Sequence, residues 1–312
     1  MLANSINRMN FSSKQYDEFA NLLSVADVEQ KKLESGCFKG EVKIIQSPNV
    51  MINNFKINRK VLKIGSGIPD FITFTIWDPN TLFTWKNHEM KKGMIGVIWK
   101  SEHHSVTGSE FSGIPVSIRE SFFSNLCRAK GYFALMDKLK KVEVLKVLET
   151  DLFEIRNLSS FIIEKPDLPD EFTYELLEKN LANLLIDCIA KALSEKMVLD
   201  VSIQKFSRMI DFIHDNLRQL TSVNQIFEET GVPERTARRL IRKKYGVSPK
   251  AFLSALRLNE VRTLLLSNDG ESHVFQVASE YNFWHMGQFG RDYKHLFGEL
   301  PSETKKHRQI SF

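Results

Sequence analysis

The segment 233–244 carries six cationic side chains, Arg235, Arg238, Arg239, Arg242, Lys243 and Lys244, against one acid, Glu234. At three- and four-residue spacing, such groups share the outer faces of a helix. An arginine there can donate two parallel hydrogen bonds to guanine O6 and N7, and any of the six can neutralise a phosphate. Three other groups have chemistry open to them. His88, Glu102, His103 and His104 are metal-ligating types, but neighbouring residues of a strand point to opposite faces, so no metal site is expected. Trp77, Trp85 and Trp99, with Phe74, can line an apolar ligand pocket; the core of a strand sandwich accounts for the same residues and is preferred. Arg59, Lys60 and Lys63 can meet an anionic effector or edge a solvated strand. There is no nucleotide loop, no Ser/His/Asp order and no carboxylate pair. No catalytic residue and no cofactor is expected, and the chain is not expected to be an enzyme.

The basic segment needs elements to position it. Ser222-Val-Asn-Gln225 has the spacing of a capping box and opens one helix. Gly231 ends that helix, and Pro233 suits the first turn of the next, 233–245. Ala237, Leu240 and Ile241 form its inner face. A short helix, a glycine turn and a second helix make a helix-turn-helix, whose second helix enters the major groove. Gly246-Val-Ser-Pro249 then starts a long helix with Ala255, Leu258, Val261 and Leu265 inward. After a turn at 268–270 the pattern repeats. Val274, Val277, Ala278 and Tyr281 are inward, Asn282-Phe283 is the turn, and Phe289, Tyr293, Leu296 and Phe297 are buried. His285, Gln288 and Arg291 face out. Upstream, Phe206, Met209, Ile210, Ile213 and Leu217 form the stripe of one more helix.

The N-terminal part has a different texture. Residues 14–34 are expected to form short polar helices. From 38 to 116, runs at 42–46, 50–57, 71–77, 82–85 and 94–99 are rich in strand formers, with Gly, Pro, Asn and Asp between them, as in a sandwich or small barrel. The signal turns helical from Val116, notably over 135–158. Pro166 and Pro169 punctuate the chain. In 173–195, Leu177, Leu181, Leu184 and Cys188 make a heptad-like seam, which fits either a homodimer or packing on the chain's own domain. Residues 198–202 are a linker. The fold class is thus α+β: a β-rich, sandwich-like domain with helices at 1–165, a helical linker at 166–202, and an all-α domain with two helix-turn-helix units at 203–312.

Composition narrows the class of function. The chain has 312 residues, 42% hydrophobic and 26% charged, which excludes disorder and fibres. Its net charge is +5. Residues 1–200 are neutral, with 26 basic and 26 acidic side chains. The whole excess lies in 201–312, where 17 basic residues face 12 acidic ones. Cys37, Cys127 and Cys188 are odd in number and without metal spacing, as in a reducing cytoplasm. No signal peptide or membrane span is expected. The expected location is the cytoplasm.

The ordered set Gly231-Val232, Gly246-Val-Ser-Pro-Lys-Ala-Phe252, Arg257-Leu258, Val277-Ala278, Phe283, Gln288-Phe289, Leu296-Phe297-Gly298 and Leu300-Pro301-Ser302 resembles the AraC/XylS family of bacterial transcription regulators. The resemblance covers about 100 residues. The stretch Phe283–Phe289, and more loosely Gln30, Leu33, Gly36, Phe38 and Gly40, are similar to the subgroup of ethanolamine-operon regulators. The resemblance implies two tandem base-reading helices. It places Arg235, Arg238 and Arg239 on bases in the first, and His285, Met286, Gln288 and Arg291 in the second. Arg242, Lys243 and Lys294 complete the expected interface with double-stranded DNA. It further implies a cupin-like N-terminal domain for a small-molecule effector or dimerisation, RNA polymerase as partner, and activation rather than repression. Three positions depart from the family pattern: Asn282 replaces a glycine, Phe227 a small residue, and Pro233 a serine cap. Two rivals stay open. A cupin-type metal enzyme with a nucleic-acid tether predicts stoichiometric metal in the N-terminal half. An architectural DNA binder without effector predicts equal affinity for any sequence.

Overall fold

Apolar and polar residues alternate over much of 40–119, which favours short strands, and the glycines, prolines and aspartates between them favour turns. The computed structural model describes residues 6–23, 28–86, 88–99, 103–165, 171–194, 204–267 and 273–308. Glu102, the prolines Pro166 and Pro169, the linker at 198–202 and the turn at 268–270 lie outside the described residues. The chain begins with β1 (Asn7–Ser13), α1 (Tyr16–Leu23), β2 (Val28–Lys32), β3 (Gly40–Gln46), β4 (Val50–Ile57), β5 (Val61–Gly65) and β6 (Phe71–Thr75). It continues through β7 (Phe83–Trp85), β8 (His88–Glu89), β9 (Met94–Ile98), β10 (His103–Thr107), β11 (Phe111–Gly113) and β12 (Val116–Arg119). Then come α2 (Glu120–Ala129), α3 (Leu135–Leu139), β13 (Val144–Lys146), α4 (Glu149–Glu164) and α5 (Glu171–Ser194). Helices complete it: α6 (Gln204–Asp215), α7 (Val223–Thr230), α8 (Glu234–Tyr245), α9 (Pro249–Ser267), α10 (Val274–Glu280), α11 (Met286–Phe297) and α12 (Pro301–Arg308). The class is α+β, with a strand-rich N-terminal part and a helical C-terminal part. No helix among the described residues is long and apolar enough to cross a membrane.

The chain divides into two compact units. The first comprises Met1–Glu29, Phe38–Asn58 and Lys63–Asp200. Its larger sheet runs β1-β3-β4-β12-β6-β9-β13, with β11 also on β4. Register sets Ile45, Ile52, Val116, Phe74 and Val97 side by side on five successive strands. Side chains alternate faces, so this row shares one face. All five are buried in one core with Phe123 of α2, Leu152 and Ile155 of α4, and Leu181, Leu185 and Ile189 of α5. The other face of β6 is buried as well: the Thr73 and Ser117 hydroxyls lie 2.8 Å apart and satisfy each other. Strands β10, β7 and β8 of this unit pair side by side in a second, antiparallel sheet.

Some elements differ from expectation, for local reasons. Residues 28–32, within a stretch expected to be helical, form β2. Val116 opens β12 rather than a helix, and β13 interrupts the expected helical run of 135–158. In each case pairing with neighbouring strands overrides a weak local preference. The seam of α5 packs inside its own unit. Leu181 and Cys188 are buried in the core, with Leu177 and Leu184 against it. Residues 166–202, expected to link two domains, therefore include a helix of the first unit's core.

The second unit comprises Gln30–Cys37, Arg59–Leu62 and Val201–Phe312. Its centre is α9. Ala255, Leu258, Val261 and Leu265 are buried as expected, and so are Phe252, Leu253, Leu256, Arg257 and Asn259. A helix buried on every side must be surrounded. The two short segments at 30–37 and 59–62 supply part of that surround. The Asn259 amide oxygen accepts the Lys32 N–H at 2.9 Å, and its nitrogen donates to the Lys32 carbonyl at 2.9 Å. Lys31 pairs with Glu260 at 2.7 Å. Leu33 N–H bonds the Lys60 carbonyl at 3.0 Å, tying the segments into one strap.

Asn259→Ala strands two buried peptide groups of Lys32. It should destabilise the second unit by about 1–3 kcal/mol. Urea unfolding of the full chain measures this, and an unchanged midpoint would show that Asn259 does not hold the strap.

Candidate nucleic-acid interface

Helix α7 starts where the sequence places it. Ser222 is its N-cap, and its hydroxyl accepts the Gln225 N–H at 3.3 Å. The Gln225 side chain returns to the Thr221 N–H at 3.1 Å, one residue earlier than a standard capping box. Gly231 ends the helix at φ 61°, in the left-handed region. Pro233 stands at the N-cap of α8 without a side-chain cap, and its carbonyl accepts the Ala237 N–H.

Helix α8 buries Ala237, Ile241 and Tyr245, and leaves Leu240 half-buried. Arg235, Arg238, Arg239, Arg242 and Lys243 are exposed. The helix thus presents a cationic outer surface over an apolar stripe. Arg238 bonds Glu234 at 2.6 Å, one turn back, and lies 5.9 Å from the centre of the Phe227 ring. That ion pair is half-exposed on both sides and contributes little to stability. Phe227 therefore forms a floor beside an arginine where the family pattern has a small residue. Lys244 differs from its neighbours: burial, reinforced by Lys243, pushes it down to about 7. The end of α8 is held from below. The Tyr245 ring stacks on Phe252 at 4.1 Å, and Lys60 of the strap donates to the Tyr245 carbonyl at 3.0 Å. A cation there complements the negative end of the helix.

The second helix-turn-helix repeats this plan with different polar groups. Val277, Ala278 and Tyr281 are buried, and Val274 is half-buried. Asn282 takes φ 65° where a glycine is usual. Its side chain adds what glycine cannot, donating to the Arg218 carbonyl at 2.8 Å and the Leu220 carbonyl at 3.3 Å. In α11, Phe289, Tyr293 and Leu296 are buried and Phe297 is half-buried. His285, at the N-cap, and Gln288, Arg291 and Lys294 are exposed, while Met286 is half-buried. The Gln288 amide is held at both ends: it donates to Asp292 at 2.6 Å and accepts from Arg291 at 2.9 Å. Gln288 and Arg291 thus form one pre-ordered polar group.

The candidate pocket residues of the first unit do not surround one space. Phe74 lies in the core against Phe123 at 5.5 Å. Trp99 is half-buried, donates to Glu120 at 3.3 Å and lies under Lys140. Trp77 and Trp85 belong together. Both flank Phe83, at 5.4 and 6.1 Å, and Trp85 stacks on His103 at 4.8 Å. Phe83 continues to Phe111 and on to Phe55. Over Phe55, at 3.8 Å, sits the Lys63 ammonium. Burial pushes Lys63 down to about 7, and no carboxylate among the described residues opposes that shift. Burial, helped by Lys86, pushes His103 down to about 3, so its ring is neutral at ordinary pH. Its Nδ1 has no hydrogen-bond partner among the described residues. Among those residues, no three of His, Cys, Asp or Glu could hold a metal ion.

Two features escaped the sequence. One is the strap: Gln30, Leu33 and Gly36 entered only as a loose resemblance, and nothing in their spacing points to packing on α9. The other is Trp284, 65% exposed two residues before α11. A large aromatic in a turn beside a recognition helix was the available signal.

Asn282→Ala should cost about 1–3 kcal/mol, through two lost hydrogen bonds and a strained left-handed alanine. Asn282→Gly should cost less, because glycine relieves the strain. Thermal unfolding ranks the variants: the reverse order would contradict the left-handed strain, and an Asn282→Gly as stable as the parent would contradict the bonding assigned to the side chain.

Comparison with known proteins bears on the same region. A helix-turn-helix domain family matches residues 226–307. The XylDLEGF operon transcriptional activator 3 of Pseudomonas putida is 33% identical over 132 residues, 40% of each chain. The XylDLEGF operon transcriptional activator 2 of the same organism is 30% identical over 128 residues, which are 40% of this chain and 80% of that one. The chain spans about two fifths of the length of the first curated relatives it matches. Among solved structures, the AraC-like transcriptional activator CuxR aligns with 86% of this chain and 100% of its own, at 12% identity and a TM-score of 0.46.

Proposed function

The chain belongs to the AraC/XylS family of bacterial transcription regulators, and from that premise we propose that it is a sequence-specific DNA-binding activator answering to a small-molecule effector. The observation that carries this reading is the pair α8 and α11. Each buries an apolar stripe in the second unit and turns hydrogen-bonding or cationic side chains outward. Phosphate contacts by Arg242, Lys243 and Lys294 would fix orientation, and base contacts by Arg235, Arg239, Gln288 and Arg291 would give sequence preference. RNA polymerase is the proposed partner at the promoter. A homodimer through 173–195 would use the outward row of Leu176, Lys179 and Asp187, since the inward seam packs in the core.

For the test, the full chain selects its preferred duplex from a random pool. Affinity for that site should fall steeply between about 50 and 200 mM salt, as phosphate contacts require. Arg235→Ala should weaken binding by about 1–3 kcal/mol and relax one base position. Salt-independent affinity, or an unchanged Arg235→Ala, would refute the assignment of α8.

The first unit's effector is proposed to be a small anion with an apolar or aromatic body. Support comes from Lys63, which lacks an opposing carboxylate among the described residues and sits at the end of the chain of rings Phe55, Phe111, Phe83, Trp85 and His103. Lys63 is lowered in the folded state from 10.5 to about 7. Between those values the unfolded chain binds more protons, so stability should rise with pH across that window. Lys63→Met should unfold at higher temperature than the parent at pH 7 and lose that rise by pH 10. Small aromatic carboxylates should stabilise the parent and not the variant. Equal thermal shifts in both would overturn the effector reading.

A further inference from the structure

The two recognition helices are not built alike. The outer surface of α8 is almost wholly cationic, whereas α11 has one arginine, one lysine and little bulk around them. Trp284 stands 65% exposed immediately before the N-cap of α11, and Phe275 is 56% exposed in the first turn of α10. Inside α11 lie two glycines. A Cβ at Gly287 or Gly290 would meet nothing within 4 Å, and neither has a positive φ. Neither packing nor backbone geometry in the free protein calls for glycine there. Each costs the helix about 1 kcal/mol relative to alanine. Gly287 is exposed, between the half-buried Met286 and the pre-ordered Gln288. The leading end of α11 is therefore apolar at Trp284 and Met286, bare at Gly287, and polar at Gln288 and Arg291.

In the major groove, only A·T pairs offer an apolar group, the thymine 5-methyl. Glutamine is matched to adenine N6 and N7. We propose that α11 reads an A·T-containing segment, with Trp284 packed on thymine methyl groups and Gly287 letting the helix backbone come close, while α8 reads guanines. The N-terminal residues of a recognition helix are those that reach base edges, which is where Trp284, Met286 and Gly287 stand. The exposed cations Arg291 and Lys294 on the same helix draw that end onto the polyanion. This inference rests on the DNA-binding reading above and assigns the bases within it.

The full chain and its selected duplex provide the test. Replacing thymidine by deoxyuridine removes one methyl group and leaves every hydrogen-bonding group in place. In the segment read by α11, each replacement should weaken binding about fourfold, the value of one buried apolar carbon. Trp284→Ala should bind the thymidine and deoxyuridine duplexes equally, while unfolding at the parent temperature. Trp284 is the only tryptophan beyond residue 99. Iodide should quench it in the free chain and not in the complex. If selection finds a preferred site but deoxyuridine costs nothing, or Trp284→Ala keeps the full methyl preference, the inference falls and the DNA-binding reading stands. If no sequence is preferred, both fall.

Discussion

Helix α9 must be covered around its middle, from Phe252 to Val261, and most of the second unit follows from that requirement. Its sequence places apolar residues at successive positions rather than on one stripe, so no face from Phe252 to Val261 can be left to water. Helices α7, α8, α10 and α12 pack against it. The strap does part of the remainder. Because its backbone is extended, its peptide groups need partners, and Asn259 provides a donor and an acceptor in one side chain. The same strap carries Lys60, which reaches the last carbonyl of α8. A packing requirement at the centre of the unit is thus linked to the end of the cationic helix α8.

The two recognition helices share a buried logic and differ outside. In both, the spacing of apolar residues decides which side faces inward, and glycine or asparagine in the left-handed region sets the turn. What remains outward is free to vary. In α8 it became arginine and lysine. In α11 it became two glycines and a glutamine held between Asp292 and Arg291, with Trp284 just ahead of the helix. One scaffold therefore carries two different recognition chemistries.

Much of the second unit was legible in the sequence, because helical periodicity and glycine terminators are local signals. The stripe of α8, the left-handed Gly231 and the buried Phe289, Tyr293 and Leu296 all follow from spacing. The first unit was legible only as strand-rich. Strands such as β12 and β13 gain their stability from partners far along the chain, which no short window contains. The row Ile45, Ile52, Val116, Phe74 and Val97 is drawn from five separate stretches and is visible only once register is known. Lys63 could be named as a candidate for an anion but not singled out, for a similar reason. As sequence it is one basic residue among three near a turn, and only its position over Phe55 sets it apart.

The second unit is not a continuous stretch of chain. Residues 30–37 and 59–62 belong to it, yet the polypeptide on either side of each belongs to the first unit. The backbone therefore passes between the two units five times. No single cut of the chain yields the whole second unit. A fragment of residues 201–312 alone would leave α9 without its strap, so the helical unit borrows part of its core from the strand-rich end of the sequence.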